Sequence, residues 1–186
     1  MLLKLTRYED VDERRLMDVY AESNFENTDC FFPEMTDKAA ATRKVEEGFL
    51  SYLKDEFFVR DGSVYWVLSE SGIWLSALRT SRVRENLYYL EALETRPDER
   101  QKGNAARLLT AVLDEMKRDG AFTLCDSVGK KNVSSLRTHA RCGFKIVSDT
   151  GYDYLRDEPD EHDFGLMYRY PTNSESSPTT IDAPMP

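Results

Sequence analysis

The segment at residues 100–105 has residue types that are suited to holding a phosphorylated ligand. It lies between an apolar run, Leu87–Thr95, which predicts a strand, and a periodic run at residues 105–117, which predicts a helix. The first turn of a helix has backbone N–H groups without intrahelical partners, and the helix dipole adds positive charge there. Gly103 has no Cβ, so a bulky anion can approach the backbone closely. The pattern therefore predicts a pyrophosphate site, which we call the cradle.

Two familiar phosphate-binding motifs are excluded by the spacing of the cradle residues. A P-loop ends in Gly-Lys-Ser or Gly-Lys-Thr, whereas Gly103 is followed by Asn104 and Ala105. A dinucleotide fingerprint needs three glycines in G-x-G-x-x-G, and the cradle has one. The remaining pattern is Arg-x-x-Gly-x-Ala, which begins at Arg100.

A second motif follows the next predicted strand. Ser135 comes three residues after Asn132, His139 comes seven after it, and Gly143-Phe144 comes eleven and twelve after it. Together the two motifs resemble those of the GNAT acetyltransferase family. In that family Arg/Gln-x-x-Gly-x-Gly/Ala binds acetyl-CoA, and an Asn, a small residue, an aromatic or polar residue and Gly-Phe follow one strand later. The resemblance by motif covers about residues 87–144.

Hydrophobic periodicity predicts one α/β (α+β) domain over residues 1–171. The predicted elements run β-α-α-β-β-β-α-β-α-β-β, with one helix starting at Asp12, a second at Thr36 or Asp37, and a hairpin turn at residues 70–72. This is the order of the GNAT fold, so the resemblance implies a mixed seven-stranded sheet flanked by four helices. Residues 172–186 have too little apolar surface to fold, which predicts a disordered tail.

Composition excludes several other classes of protein. The net charge of −9 argues against binding to a nucleic-acid backbone. No segment is long and apolar enough to cross a membrane, and the N-terminus does not have the pattern of a signal peptide. The three cysteines lack metal-like spacing and favour reduced thiols. We therefore expect a cytoplasmic protein, a monomer or a homodimer, that binds no metal.

The resemblance also implies a reaction, the direct transfer of acetyl from acetyl-CoA to a primary amine of a small molecule or peptide. The backbone of Leu93 and Thr95 would pair with the pantetheine arm where the strand splays from its neighbour at a bulge. The Leu93 N–H would also stabilise the developing oxyanion. The full set of expected cofactor contacts is Leu93, Thr95, Arg100, Gln101, Lys102, Gly103, Asn104, Ala105, Asn132 and Ser135.

Two catalytic roles follow from the same comparison. Strand alternation predicts that Glu91 and Glu94 point to opposite faces, and that Glu91 shares the face of Leu93 and Thr95. Glu91 is therefore our first candidate for the base that deprotonates the amine, and Glu94 is the second. His139 stands where the family often has Tyr, so it is the candidate proton donor to the coenzyme A sulfur. A purely structural role for His139 stays open.

The acceptor side carries no motif. Residues 149–163 are rich in Asp and Glu and would attract a cationic amine if they bordered the acceptor site, although a solvated loop is the alternative. Two other functions also stay open. One is a non-catalytic acetyl-CoA sensor of the same fold, and the other is an α/β binding protein whose cradle is coincidental.

Overall fold

A seven-stranded mixed sheet organises residues 1–170, the part of the chain that the computed structural model describes. The strands are β1 (Leu2–Leu5), β2 (Val64–Glu70), β3 (Ile73–Arg84), β4 (Leu87–Thr95), β5 (Phe122–Gly129), β6 (Lys145–Ser148), β7 (Gly151–Asp153), β8 (Glu158–Asp160) and β9 (Asp163–Tyr170). The sheet order is β1-β2-β3-β4-β5-β9-β6, and β7 pairs with β8 in a separate ribbon. Neighbours in the sheet are antiparallel except β4 and β5, which run parallel. The predicted tail at residues 172–186 lies outside the described residues.

Short and long helices cover the sheet. They are α1 (Glu13–Val19), α2 (Ala21–Glu26), α3 (Thr28–Phe31), α4 (Lys38–Tyr52), α5 (Asn104–Met116) and α6 (Val133–Arg141). Both predicted starts are real N-caps, since Asp12 accepts a hydrogen bond from the Arg15 N–H and Asp37 accepts one from the Ala40 N–H, each at 3.0 Å. The first predicted helix corresponds to α1, and the short helices α2 and α3 lie in a stretch where no helix was predicted. In the described part of the chain, no helix has the length and apolarity needed to cross a membrane.

Two apolar cores lie on the two faces of the sheet. The first packs α5 against the sheet and includes Leu90, Leu108, Val112, Leu124 and Phe144. The second packs α1 and a π-helical turn after α4, Leu53–Phe57, against the sheet, and it includes Leu16, Leu53, Phe57, Tyr65 and Trp74. Burial of each such side chain contributes about 1.5–3 kcal/mol, so the two cores hold β3, β4 and α5 in fixed positions around the site.

The β7–β8 ribbon is an element that sequence patterning did not predict. With its turn it spans residues 151–160 of the acidic segment at residues 149–163, and it pairs Tyr152 with Pro159. Asp153 Oδ1 accepts hydrogen bonds from the backbone N–H groups of Leu155 and Arg156 at 2.8 and 3.1 Å, which closes the turn. Local side-chain hydrogen bonds, rather than apolar alternation, therefore shape this segment.

Candidate functional site

Strands β4 and β5 separate in the middle of the sheet. Their parallel pairing covers only Leu87 to Tyr89 on β4 and Thr123 to Cys125 on β5. Beyond that point β5 continues to pair with β9, and β4 continues to pair with β3. Within the described residues, the edge of β4 that faces β5 thus has no strand partner from residue 90 to residue 95. An open strand edge of this kind can accept an extended ligand by backbone hydrogen bonds, as expected for Leu93 and Thr95.

A β-bulge in β4 sits at the start of this open edge. Glu91 pairs with Arg79 and Glu94 pairs with Ala77, so β4 has one extra residue there. Ala92 carries the distortion with a φ of 56°, and its carbonyl accepts a hydrogen bond from the Tyr20 hydroxyl at 2.6 Å. The predicted bulge is therefore present in this strand.

The bulge corrects the predicted direction of two side chains. Because an extra residue reverses strand alternation, Glu91 and Glu94 point to the same face, and both line the same cavity. Leu93 packs instead in the core beneath α5. The expectation that the two glutamates face opposite sides, and that Glu91 shares a face with Leu93, was wrong. Ala92 is a residue that rarely adopts positive φ, so nothing in its type indicated the reversal.

The cradle connects the open edge of β4 to the first turn of α5. Gln101 and Gly103 have φ values of 59° and 77°, and such left-handed residues turn successive N–H groups toward one point. A Cβ added at Gly103 would meet no atom within 4 Å, so space is open in front of the backbone there. Ala105 lies in the first turn of α5, where N–H groups lack intrahelical acceptors. These features fit a pyrophosphate group.

Side chains of the cradle hold its shape more than they extend into the open space. The buried Asn104 side chain donates to the Glu99 carbonyl oxygen at 3.0 Å and accepts from Arg107 at 2.8 Å. Lys102 pairs with Glu99 at 3.0 Å. The loop is therefore braced from within, and the backbone N–H groups are left to meet an anion.

Arg100 points toward the acceptor side of the sheet. Its guanidinium forms an ion pair with Glu22 of α2, lies 3.6 Å from a carboxylate oxygen of Glu94, and donates to the Thr95 carbonyl oxygen at 3.2 Å. Arg100, which was expected to bind pyrophosphate, thus links the cradle to α2 and to Glu94 of β4.

The second motif caps α6 and forms a buried pair. Asn132 accepts a hydrogen bond from the Ser135 N–H at 3.1 Å, so it is the N-cap of α6. His139 is 1% exposed and stacks edge-on against Phe144. Its Nε2 lies 2.8 Å from Oδ2 of Asp126, a β5 residue that is itself 7% exposed.

The contacts of the two ring nitrogens limit where the protons of this pair can be. Nδ1 of His139 lies 2.8 Å from the carbonyl oxygen of Ser135, which only accepts, so Nδ1 carries a hydrogen. Nε2 faces the Asp126 carboxylate, and two lone pairs at that distance would repel each other. The pair therefore holds one more proton, either on the imidazole or on the carboxyl group.

The pKa values of both groups are raised. Burial lowers the pKa of His139, but the hydrogen bond and the charge of Asp126 outweigh it, so the pKa lies above the ordinary value of 6.5. Burial raises the pKa of Asp126, and contacts with His139 offset only part of that increase. The two residues act as one proton-holding unit behind the open part of β5.

A cavity of about 720 Å³ lies on the face of β4 that carries both glutamates. Its walls come from α2, α3, α4, β3, β4 and the turn of the β7–β8 ribbon. The lining side chains include an aromatic set of Tyr20, Phe31, Phe32, Phe49 and Tyr52. Of the acidic residues at 149–163, only Asp153 lines the cavity, and Arg156 lies beside it. The other acidic residues of that segment do not border the cavity.

Glu91 and Glu94 differ in their surroundings. One Glu91 oxygen accepts from Arg79 at 2.6 Å, and the Arg79 guanidinium packs against the rings of Phe49 and Tyr52. Arg79 is 9% exposed, so Glu91 balances a buried charge. Burial raises the pKa of Glu94 by more than the hydrogen bond from the Thr95 backbone lowers it. Arg79 and Asp126 are site residues that sequence reasoning missed, because no motif includes them.

Comparison with known proteins decides the family. The model described as Acetyltransferase (GNAT) family matches residues 16–144. The chain belongs to this family. The predicted enzyme class, an acetyl-CoA-dependent acyltransferase, is thereby confirmed. No curated protein sequence matches the chain.

Solved structures confirm the GNAT fold. PaiA N-acetyltransferase from Thermoplasma acidophilum, in complex with coenzyme A, is 19% identical with a TM-score of 0.62, and the match covers 91% of this chain and 99% of that one. The ribosomal-protein-S18-alanine N-acetyltransferase from Escherichia coli is 16% identical with a TM-score of 0.60, over 96% and 100% of the two chains. PseH from Campylobacter jejuni, in complex with acetyl coenzyme A, is 13% identical with a TM-score of 0.54, over 91% and 99%.

Proposed function

We propose that this GNAT protein transfers acetyl from acetyl-CoA to a primary amine of a small molecule or peptide that enters the cavity beside β4. One observation supports the proposal most strongly. The open edge of β4 leads directly to the cradle, and the same strand places Glu91 and Glu94 in the wall of the cavity. Thioester, amine and base can meet only where those features adjoin. Two solved neighbours bind coenzyme A or acetyl coenzyme A, which supports the same cofactor here.

Acetyl-CoA supplies the thioester carbonyl, and the chain supplies the contacts around it. The N–H groups of residues 101–105 bind the pyrophosphate, and the backbone of Leu93 and Thr95 binds the pantetheine arm. The N–H of Leu93 stabilises negative charge on the carbonyl oxygen. Asn132 and Ser135 border the same arm. As the amine nitrogen bonds to the carbonyl carbon and the C–S bond breaks, one proton leaves the amine and one is given to the sulfur.

Glu94 is the better placed of the two candidate bases. Glu91 is engaged with Arg79 at 2.6 Å, whereas the Glu94 carboxylate lies 3.6 Å from Arg100, accepts a hydrogen bond from the Thr95 backbone and has a pKa raised by burial. A raised pKa brings a carboxylate closer to the proton affinity that general-base catalysis requires at neutral pH. Glu91 then fixes the Arg79 charge and the shape of the cavity floor.

His139 remains our candidate for the proton donor, acting together with Asp126. The pair already holds a proton between Nε2 and the carboxylate, so it can give that proton to a departing thiolate and be reloaded from solvent. Its burial means that the proton must reach the sulfur from inside the β4–β5 gap. A cytoplasmic location and a monomeric or dimeric state stay predictions.

The test combines ligand binding with turnover. Saturating acetyl-CoA should raise the melting temperature, because a ligand that binds only the folded state stabilises it. Thiol release in the presence of a panel of primary amines should then show transfer. Stabilisation without release for any amine would favour the sensor function, and no stabilisation would contradict coenzyme A binding altogether.

A further inference from the structure

The charged side chains of the cavity are mostly paired with one another. Its lining contains four basic residues, Lys44, Arg60, Arg79 and Arg156, and four acidic residues, Glu56, Glu91, Glu94 and Asp153. Three of the pairs are internal: Arg79 with Glu91 at 2.6 Å, Arg60 with Glu56 at 3.6 Å, and Arg156 with Asp153 at 3.9 Å. These pairs leave Glu94 and Lys44 to set the charge that a ligand meets.

Negative charge is in excess on the β4 side. Glu94 shares Arg100 with Glu22, so two carboxylates face one guanidinium and the group carries one net negative charge. This excess lies on the floor of the cavity, next to the open edge of β4, where the reacting amine must be placed.

Positive charge is in excess on the α4 side. Among the described residues, Lys44 forms no ion pair, and its Nζ lies 5.4 Å from the centre of the Phe32 ring. Phe32 and Lys44 both line the cavity, so the ammonium group stands at an aromatic wall rather than beside an acid.

The wall between the two charges is apolar. Tyr20, Phe49 and Tyr52 line the interior, and Phe31 lines the cavity although its side chain is 63% exposed. A large apolar side chain exposed at the mouth of a cavity is a surface that a ligand can cover.

We propose that the acetyl acceptor is an aromatic or similarly apolar amine that also carries a carboxylate group, an inference that rests on the proposed function. The amine lies at Glu94, the apolar body lies against the aromatic wall, and the carboxylate lies at Lys44. Complementary charges at the two ends would fix the orientation and would disfavour amines that carry a second positive charge.

Three acceptors that differ in a single group test this proposal. They are 4-(aminomethyl)benzoate, benzylamine and 4-(aminomethyl)benzylamine, which share one reacting amine and one ring but carry an anionic, a neutral or a cationic para group. Wild-type kcat/KM should follow that order, with about a two- to fivefold step between the first two, as expected for one ion pair with an exposed lysine. The preference should appear mainly in KM, because Lys44 lies away from the reacting nitrogen.

Variants assign the preference to Lys44. In K44Q the first two acceptors should become equal, and in K44E the order should reverse. R43Q is the matched control, since Arg43 is an exposed neighbour on α4 that does not line the cavity, and it should keep the wild-type order. Equal or reversed wild-type values, or an order that survives K44Q, would overturn the proposal.

The same assays distinguish a failure of the acceptor proposal from a failure of the proposed function. If none of the three amines is acetylated while acetyl-CoA still raises the melting temperature, the carboxylate-bearing acceptor is wrong and coenzyme A binding stands. If acetyl-CoA gives no stabilisation, the proposed function itself fails, and the acceptor proposal fails with it.

Discussion

The two sides of β4 offer a ligand different chemical groups, backbone on one side and side chains on the other. On the cradle side, the ligand would meet backbone: an unpaired strand edge, two left-handed residues and the first turn of α5. On the cavity side, it would meet side chains from α2, α4, β3 and β4. Backbone groups suit a cofactor that is the same in every turnover, while side chains suit an acceptor that has to be selected.

The bulge at Ala92 is where the two sides meet. It frees the edge of β4 for the cradle side and, by reversing the alternation, turns Glu94 into the cavity beside Glu91. The hydrogen bond from Tyr20 to the Ala92 carbonyl oxygen links this backbone feature to α2. Substitutions on the cavity side should therefore change chemistry and selectivity, and substitutions on the cradle side should change backbone conformation and cofactor affinity.

The largest effect is expected on the cavity side, at Glu94. E94Q removes the proposed base and should lower kcat about 100-fold, within the range for loss of a general base. Activity requires the unprotonated carboxylate, so the wild-type rate should fall as the pH drops through a pKa raised above the ordinary 4.5. Steady-state kinetics across pH would show this acidic limb in the wild type and its loss in E94Q.

E91Q is the matched control for that experiment. It removes the charge partner of the buried Arg79 and should reduce stability by about 3 kcal/mol, because an uncompensated buried charge is costly. We expect a lower melting temperature for E91Q and a lower kcat for E94Q. If E91Q instead kept the wild-type stability and lost about 100-fold in kcat, Glu91 rather than Glu94 would be the base.

The next effect concerns the buried pair behind β5. The pKa of His139 is raised in the folded state, so its contribution to stability is complete below the ordinary pKa of 6.5 and is lost as the pH rises through the raised value. Asp126 shifts in the same direction. D126N should therefore cost about 1–3 kcal/mol below pH 6.5 and flatten the pH dependence of stability above it.

Urea unfolding at a series of pH values measures this change. H162N is the control, because His162 is the second histidine and is exposed. A similar flattening in H162N, or an unchanged profile in D126N, would show that the Asp126–His139 pair does not hold the extra proton.

The cradle was predictable from sequence because it is local. Strand, turn and helix follow one another directly, and the φ of 77° at position 103 favours the glycine found there. The fold class was predictable from local patterns too, because the order of the strands and helices could be read from their apolar periodicity. The cavity joins Tyr20, Lys44 and Arg79 from elements far apart in the chain, and no spacing rule links them.

Two features were not predicted from the sequence, and each has a physical reason. The positive φ at Ala92 is set by tertiary contacts, and strand alternation assumes that no such residue occurs. The β7–β8 ribbon is held by side-chain hydrogen bonds of Asp153, so its composition resembles that of a solvated loop. The burial of His139 depends on Asp126, a partner on another element.

A smaller effect is expected on the cradle side, at Gly103. G103A places a Cβ on a residue with φ of 77°, which should cost about 1–2 kcal/mol of stability. The new methyl group would point into open space that we assign to the anion, so coenzyme A affinity should fall about tenfold. Unfolding and titration with coenzyme A give the two values. Lower stability with unchanged affinity would mean that the pyrophosphate lies elsewhere.

The smallest effect is expected at Gly48, the corresponding test on the cavity side. Gly48 lies inside α4 and lines the cavity, and a Cβ there would meet no atom within 4 Å. Because alanine favours the helix, G48A should gain about 0.5–1 kcal/mol of stability. The methyl group should raise the KM of the amine while leaving coenzyme A affinity unchanged. Opposite signs of stability change for G48A and G103A, with separate effects on the two substrates, would show that the two sides of β4 are independent. A parallel loss of coenzyme A affinity in G48A would show instead that they are coupled.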